Sequence, residues 1–270
     1  MDREQEGVTR LAHLRLGGAH AGPREGAVVV EEPLEIRLDT RPIAVVMRTP
    51  GNDIELVLGF LVTEGIVSDP GVILQAAHCD ETRNVIEVRS EPGAPNVHPP
   101  AQRNFFASSS CGVCGKASID ALRVRAPGLG QNALRVGAER LRGLPGALQN
   151  AQDLFGETGS LHGVGLFEAD GTPSCVREDV GRHNAVDKVV GWAALNERLP
   201  LSAQVLMVSG RVGFEIVQKA WVAGIPIVCA ISGPSSLAVE LAREAGMTLV
   251  AFLRGQEMNV YGAPERIVGP

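Results

Sequence analysis

The chain has few aromatic residues, few cysteines, no long apolar run and no excess of positive charge, and each shortage excludes something. Aromatics make up 4% of 270 residues, so the core has to come from Val, Leu, Ile and Ala. Five cysteines, an odd number thinly spread, do not make a disulfide framework. No apolar stretch reaches the roughly eighteen residues of a membrane span, so no membrane partner is expected. The stretch MDREQEGVTRLAHLRLGG is charged and lacks the apolar centre of an export signal, which makes a reducing cytoplasm the expected location. A net charge of −6 argues against nucleic acid held by a basic surface. With 44% hydrophobic and 21% charged residues, a chain of this length can bury one large core or two smaller ones.

Apolar and polar residues alternate through AVVVEEPLEIRLDTRPIAVVMRTP on both sides of LDTRP, which predicts an antiparallel strand pair. Asp53 is placed to cap the helix DIELVLGFLVTEGIV, whose Ile54, Leu58, Leu61 and Val62 share a face. NVIEVRS reads as a further strand and the proline-rich EPGAPNVHPPAQ as loop. After APGLGQ, read as a linker or turn, the pattern becomes a helix with breaks at its start over RLRGLPGALQNAQDLFGETGS and a strand pair turning at Asp170-Gly171. Helices and apolar strands then alternate to TLVAFLR, with Gly224 and Gly246 closing helices and Ser235 or Ser236 opening one. The order α-β-β-α-β-α-β-α-β implies a partly parallel sheet covered on both faces.

In such sheets ligands sit beyond the carboxyl ends of the strands. SGRVG, SGPSS and RGQEMN fall there, combining small residues with helix starts that favour an anion, and Arg211 and Arg254 could add charge-assisted bonds. Helix capping alone accounts for any single one of these loops. EDVGRHNAVDK is the densest polar stretch: Glu178, Asp179, Arg182, His183, Asn184 and Asp187 crowd one helix start. His162, at the start of the preceding strand, reads as a satisfied strand-end histidine.

SSSCGVCGKAS places Cys111 and Cys114 around a Gly-Val pair, followed by Lys116. A structural zinc site needs four ligands, and the chain offers no second C-x-x-C or H-x-x-x-H. No resident metal is therefore expected. A thioredoxin-type couple begins a helix after a strand, as this one could, but the surrounding element order is not thioredoxin's. A helix start and Lys116 would lower a thiol pKa, and Ser and Gly around it would let the sulfur move, which suits a sulfur carrier.

The blocks SSSCGVCGKASID, REDVGRHNAVDKVVG, SGRVGFEIVQKAWVAGIPIV, SGPSSLAVELAREAGMTLVAFLRG and MNVYGAPERI resemble, in order, those of the formate dehydrogenase accessory sulfurtransferases, the FdhD family. EEPLEIRL and LVLGFLVTEGIV resemble its N-terminal blocks, so the likeness runs from about residue 28 to the C-terminus. The resemblance implies a cytoplasmic homodimer that takes persulfide sulfur from a cysteine desulfurase. It passes that sulfur to the molybdenum or tungsten bis-guanine dinucleotide cofactor (bis-molybdopterin guanine dinucleotide), bound as substrate, and so makes formate dehydrogenase active. It implies Cys111 as the persulfide carrier, Cys114 as its helper and FLRGQE, that is Phe252, Leu253, Arg254, Gly255, Gln256 and Glu257, as the cofactor-binding stretch. Arg182, His183 and Arg211 are further candidates for holding the cofactor.

The fold so implied is α/β: a three-layer αβα, cytidine-deaminase-like C-terminal domain over 131–270, with a smaller, mainly β N-terminal domain over 1–130 that ends in the C-x-x-C loop. Deaminase chemistry is not expected. GRHNAVD lacks the glutamate two residues after the histidine, and SGRVGFE lacks the cysteine pair. Two other readings stay open: a non-catalytic chaperone of the molybdenum cofactor, and a zinc-stabilised binding module using the C-x-x-C across a dimer interface.

Overall fold

The computed structural model describes residues 7–18, 20–79, 81–98, 126–130 and 132–269. Strands β1 (Val8–Arg15) and β2 (Gly22–Val29) form a two-stranded antiparallel ribbon that the alternation pattern did not separate from the next strand pair. β3 (Glu32–Leu38) and β4 (Arg41–Arg48) are the expected antiparallel pair. The two residues between them, Asp39 and Thr40, both have positive φ (48° and 66°), as a tight hairpin turn requires. β5 (Ile73–His78) and β6 (Val85–Ser90) complete a four-stranded sheet in the order β4-β3-β6-β5, with β3 parallel to β6. Its buried face, Leu34, Ile36, Leu38, Ile86 and Val88, packs on Leu56, Val57 and Leu61 of helix α1 (Asp53–Thr63).

Asp53 is not the cap of α1. Asn52 holds that position in a left-handed conformation, and Asp53 is the first helical residue. Its carboxylate takes two bonds from buried Arg48, at 3.1 Å each. A carboxylate at a helix start satisfies the dipole equally well from inside the first turn, so sequence could not separate the two roles.

β7 (Val136–Gly137) leads into helices α2 (Ala138–Asn150) and α3 (Asp153–Thr158). The single helix expected there is thus two, and the break falls between them, not at the start; α2 runs through Pro145 unbroken. The expected strand pair is β8 (His162–Phe167) and β9 (Pro173–Asp179). Then come α4 (Arg182–Leu195), β10 (Val205–Val208), α5 (Phe214–Val222), β11 (Ile227–Ala230), α6 (Ser236–Ala245) and β12 (Thr248–Arg254). β13 (Glu257–Gly262) returns antiparallel to β12, and β14 (Ile267–Val268) pairs with β7. RGQEMN, read as a loop, therefore holds only a tight turn at Gly255-Gln256 before a new strand.

The larger sheet has six strands in the order β13-β12-β11-β10-β8-β9. Leu206, Val208, Val228 and Leu249 face α4, α5 and α6, while Val205, Met207, Ile227 and Val250 face α2. Helices on both faces make the arrangement a three-layer αβα. All four residues of β10 and of β11 are buried because both faces are covered, which is why these strands read as unbroken apolar runs. Within APGLGQ, Leu129 is pinned rather than free: its carbonyl accepts from fully buried Arg266, and its N–H donates to the Ala245 carbonyl at 2.8 Å.

Candidate functional site

β10, β11 and β12 run parallel, and β8 runs against β10 and against β9. The carboxyl ends of β9 to β12 and the amino end of β8 therefore lie along one edge. That edge collects Asp179, the start of α4 at Arg182 and His183, His162, the Ser209–Arg211 loop, the Ser232–Ser236 loop and Phe252–Glu257.

The polar stretch 178–188 divides in two. Part of it is structural. Glu178 caps α3, accepting from the N–H groups of Leu154 (2.9 Å) and Phe155 (2.8 Å). Buried Asp179 accepts from Thr49 N–H, Gly181 N–H and Asn184 Nδ2 and pairs with Lys188 Nζ at 2.8 Å. Asp187 accepts from Lys219 Nζ at 2.9 and 3.0 Å and from the Thr63 hydroxyl at 2.7 Å. The other part, Arg182 and His183, is not engaged in this way. Arg182 Nε and both ring nitrogens of His183 are buried and have no hydrogen-bond partner among the described residues.

Around them stand Glu215, which sequence reasoning missed, and His162, which it read as a satisfied strand-end histidine. Glu215, from the first turn of α5, brings Oε2 to 3.7 Å from His183 Nε2. Burial pushes the Glu215 pKa up, but His183 and Arg182 outweigh this and hold its carboxyl below the usual range. His162 lies against Gly210, where a Cβ would stand 3.2 Å from His162 Nδ1. Burial first, then the charges of Arg182, His183 and Arg211, push the His162 pKa down against the opposing pull of Asp179. No spacing rule links residues 162, 182 and 215; the sheet order does.

Phe252 sits on a bulge of β12 at φ 52°, donates its N–H to the Ser232 carbonyl at 3.2 Å, and lays its ring over Gly233. A Cβ on Gly233 would stand 2.7 Å from that ring, and the ring is 41% exposed, so it forms a flat apolar platform at the edge. Leu253 is core. Arg254 donates Nε to the Ile231 carbonyl at 2.8 Å, and Glu257 lies opposite it across the Gly255-Gln256 turn. The Gln256 carbonyl accepts from Arg142 Nε at 3.1 Å. Arg211 is exposed.

Two serines of the expected anion loops are spent on the backbone. Ser209 Oγ accepts from Gly163 N–H at 3.0 Å, and Ser235 Oγ accepts from Ala238 N–H at 3.2 Å as the cap of α6. For Ser235 the plain capping reading holds.

Cys111 and Cys114 lie outside the described residues. Of the other cysteines, Cys79 is exposed while Cys175 and Cys229 are buried in strands. Burial pushes the Cys175 thiol up to about 12 and the Cys229 thiol up as well. Neither can supply a thiolate near neutral pH. Among the described residues no group of three or more His, Cys, Asp and Glu could hold a metal ion, and no helix is long and apolar enough to cross a membrane.

Residues 29–268 match the FdhD/NarQ family. A sulfur carrier protein FdhD from Mycolicibacterium paratuberculosis is 51% identical over 96% of this chain and 97% of its own. Its counterpart from Streptomyces coelicolor is 48% identical over 94% and 93%, and that from Thermoplasma volcanium 41% identical over 90% of each. A crystal structure from Desulfotalea psychrophila, described as a formate dehydrogenase accessory protein, superposes with a TM-score of 0.79 at 27% identity, covering 97% of this chain and 99% of that one.

Proposed function

The chain belongs to the FdhD/NarQ family, and on that premise we propose that it is a sulfurtransferase. It carries persulfide sulfur on Cys111 from a cysteine desulfurase to the molybdenum or tungsten bis-guanine dinucleotide cofactor that formate dehydrogenase requires. The observation that carries this reading is the near-full-length identity to proteins named as sulfur carriers. The role of Cys111 is what the family resemblance implies, and burial keeps the thiols of Cys175 and Cys229 out of the chemistry.

In the first step the Cys111 thiolate attacks the outer sulfur of the donor persulfide. A new sulfur–sulfur bond forms on Cys111, the donor's own breaks, and the donor leaves as a thiolate. In the second step the Cys114 thiolate attacks Cys111 Sγ. The terminal sulfur leaves as hydrosulfide for the cofactor, and a Cys111–Cys114 disulfide remains, which a cellular dithiol reduces. The cofactor is substrate here, not a resident group. Its base is assigned to the Phe252 ring platform and its charge to the side chains of Arg182, His183 and Arg211. A homodimer, with formate dehydrogenase as the downstream partner, completes the proposal.

The test is mass spectrometry after incubation with a cysteine desulfurase and cysteine. The peptide containing Cys111 is expected to gain about 32 Da, one sulfur. No gain, or full activation of formate dehydrogenase by Cys111→Ala, would overturn sulfur transfer; the second result would favour a cofactor chaperone without sulfur chemistry.

A further inference from the structure

The sulfur chemistry uses neither the β1–β2 ribbon nor the outer strand of the four-stranded sheet. The family match begins at residue 29, so the ribbon lies before it. Every residue of β1 after Val8 is exposed, and Leu11, Leu14 and Leu16 are 53%, 64% and 82% exposed. A two-stranded ribbon with no second layer is marginally stable in water. Among the described residues no strand pairs with the outer side of β1. That edge therefore presents main-chain N–H and C=O groups that another strand could take up.

β5 is the corresponding open edge of the four-stranded sheet. A groove of about 580 Å³ runs beside it, lined by most of β5, by Asn52, Ile54 and Leu58 at the start of α1, and by Leu195 at the end of α4. No residue of β6 lines the groove, so it lies on the unpaired side of β5. Leu74 and Leu195 stand on its two walls, 63% and 52% exposed. The main chain of β5 can accept one more strand, and the groove can accept that strand's apolar side chains. An extended segment carrying leucines meets both conditions.

Charge and position choose the occupant. The ribbon carries Arg10, Arg15 and Arg24 against Glu25, a basic arm on a chain of net charge −6. Arg83 lines the groove, but exposed Asp69, Glu81 and Glu197 follow or precede its lining residues closely in sequence. The base of the ribbon adjoins the groove: a Cβ on Gly7 would stand 3.0 Å from Thr49 and 3.3 Å from the Pro50 carbonyl oxygen, and Asn52 begins the lining. β2 packs on α3 and no ribbon residue lines the groove, so one chain does not join its own two surfaces. Complementary surfaces side by side on one chain suit a two-fold pair, in which each contact is made twice. We propose that the ribbon of one copy docks in the groove of a second, β1 pairing along β5 and Leu14 entering between Leu74 and Leu195. This names the surfaces of the homodimer and rests on that part of the proposed function.

The experiment uses the full chain. Sedimentation equilibrium gives the dimer dissociation constant, and a photoreactive residue in place of Leu14 maps what the ribbon touches. Ordinary and heavy-nitrogen chains are mixed, so mass spectrometry separates cross-links between copies from those within one. Cross-links between copies are expected from position 14 to the peptides that carry Leu74 or Leu195. Leu14→Glu and Leu74→Glu, both at exposed positions where the fold is not at risk, should each raise the dissociation constant about tenfold or more, the scale of a lost apolar anchor. Arg10→Glu combined with Arg15→Glu should weaken the dimer at low salt and less so at high salt.

A monomer at micromolar concentration, cross-links confined to one chain, or an unchanged constant in both leucine variants would each overturn the proposal. A dimer whose position-14 cross-links lead anywhere other than β5 and the end of α4 would overturn it too, while leaving the homodimer itself standing. Failure of the Cys111 mass gain, by contrast, would leave the cross-links and the dissociation constants as they are.

Discussion

Gly191 of α4 lies so close to Glu55 of α1 that a Cβ on Gly191 would stand 1.7 Å from the Glu55 carbonyl oxygen. The contact is reciprocal: a Cβ on Gly59 would stand 1.8 Å from the carbonyl oxygen of Asp187. The two helices meet backbone to backbone, and that contact joins the four-stranded sheet to the six-stranded one. Helix propensity would favour alanine at both places by about 1 kcal/mol, but the clash is with backbone and cannot be relieved by a rotamer. Gly191→Ala is therefore expected to lower stability by about 3 kcal/mol or more in denaturant unfolding. Gly143→Ala, on the exposed face of α2 with open space around it, should raise stability by about 0.5–1 kcal/mol. Equal effects at the two sites would show that propensity, not the crossing, decides.

Lys219 is the charged partner in the same seam, with Asp187, Thr63 and Glu64 all within 3.1 Å of its ammonium. Removing one member leaves a buried charge, so Lys219→Met should cost about 3–5 kcal/mol. Replacing Asp187 by Asn as well should recover part of that, read from a double-mutant cycle. A cycle with no coupling would contradict the pairing.

Burial lowers the Lys219 pKa, but Asp187 and Glu64 outweigh it and hold the ammonium above the ordinary lysine value. A raised lysine contributes stability that is complete below the unfolded value, near about 10.4, and is lost as pH rises through the folded one. Alkaline unfolding should start at lower pH in a chain carrying Glu64→Gln than in the parent. Coincident alkaline transitions would count against this.

His162 should titrate below the ordinary histidine value of about 6.5, because burial, then Arg182, His183 and Arg211, disfavour its imidazolium. A depressed histidine contributes stability above the unfolded pKa and loses it as pH falls toward the folded one. Stability should accordingly decline on acidification below about pH 6.5, and His162→Gln should flatten that decline. An NMR titration midpoint at or above the ordinary value would refute the assignment.

Native alkylation separates the thiols. Cys175, pushed up to about 12, and Cys229, fully buried, should resist iodoacetamide until the chain unfolds, while exposed Cys79 reacts. Labelling of Cys229 at the same rate in native and denatured protein would place it outside the core.

The elements were legible where a local rule decides them. Ser235 caps α6 and Gly246 closes it in a left-handed conformation, as read from a serine before and a glycine after an amphipathic run. β10 and β11 were legible as unbroken apolar stretches. β13 was not, because EMNVYG lies on the sheet's outer edge with one side open and carries no strong alternation. Asn52 displaced Asp53 from the cap because Arg48, five residues back, claims that carboxylate.

By itself the sequence determined the α/β order, the family through its ordered blocks, and the cysteine pair at 111 and 114. Only the tertiary structure decided which polar residues are free to act. In EDVGRHNAVDK every side chain looks equally available. Folding commits Glu178, Asp179, Asn184, Asp187 and Lys188 to partners on other elements. It leaves Arg182 and His183 at the edge beside His162 and Glu215. Hydrogen bonds such as Thr49 N–H to Asp179, 130 positions apart, and the Thr63 hydroxyl to Asp187, 124 apart, are set by strand order and helix crossing, and no local pattern encodes them.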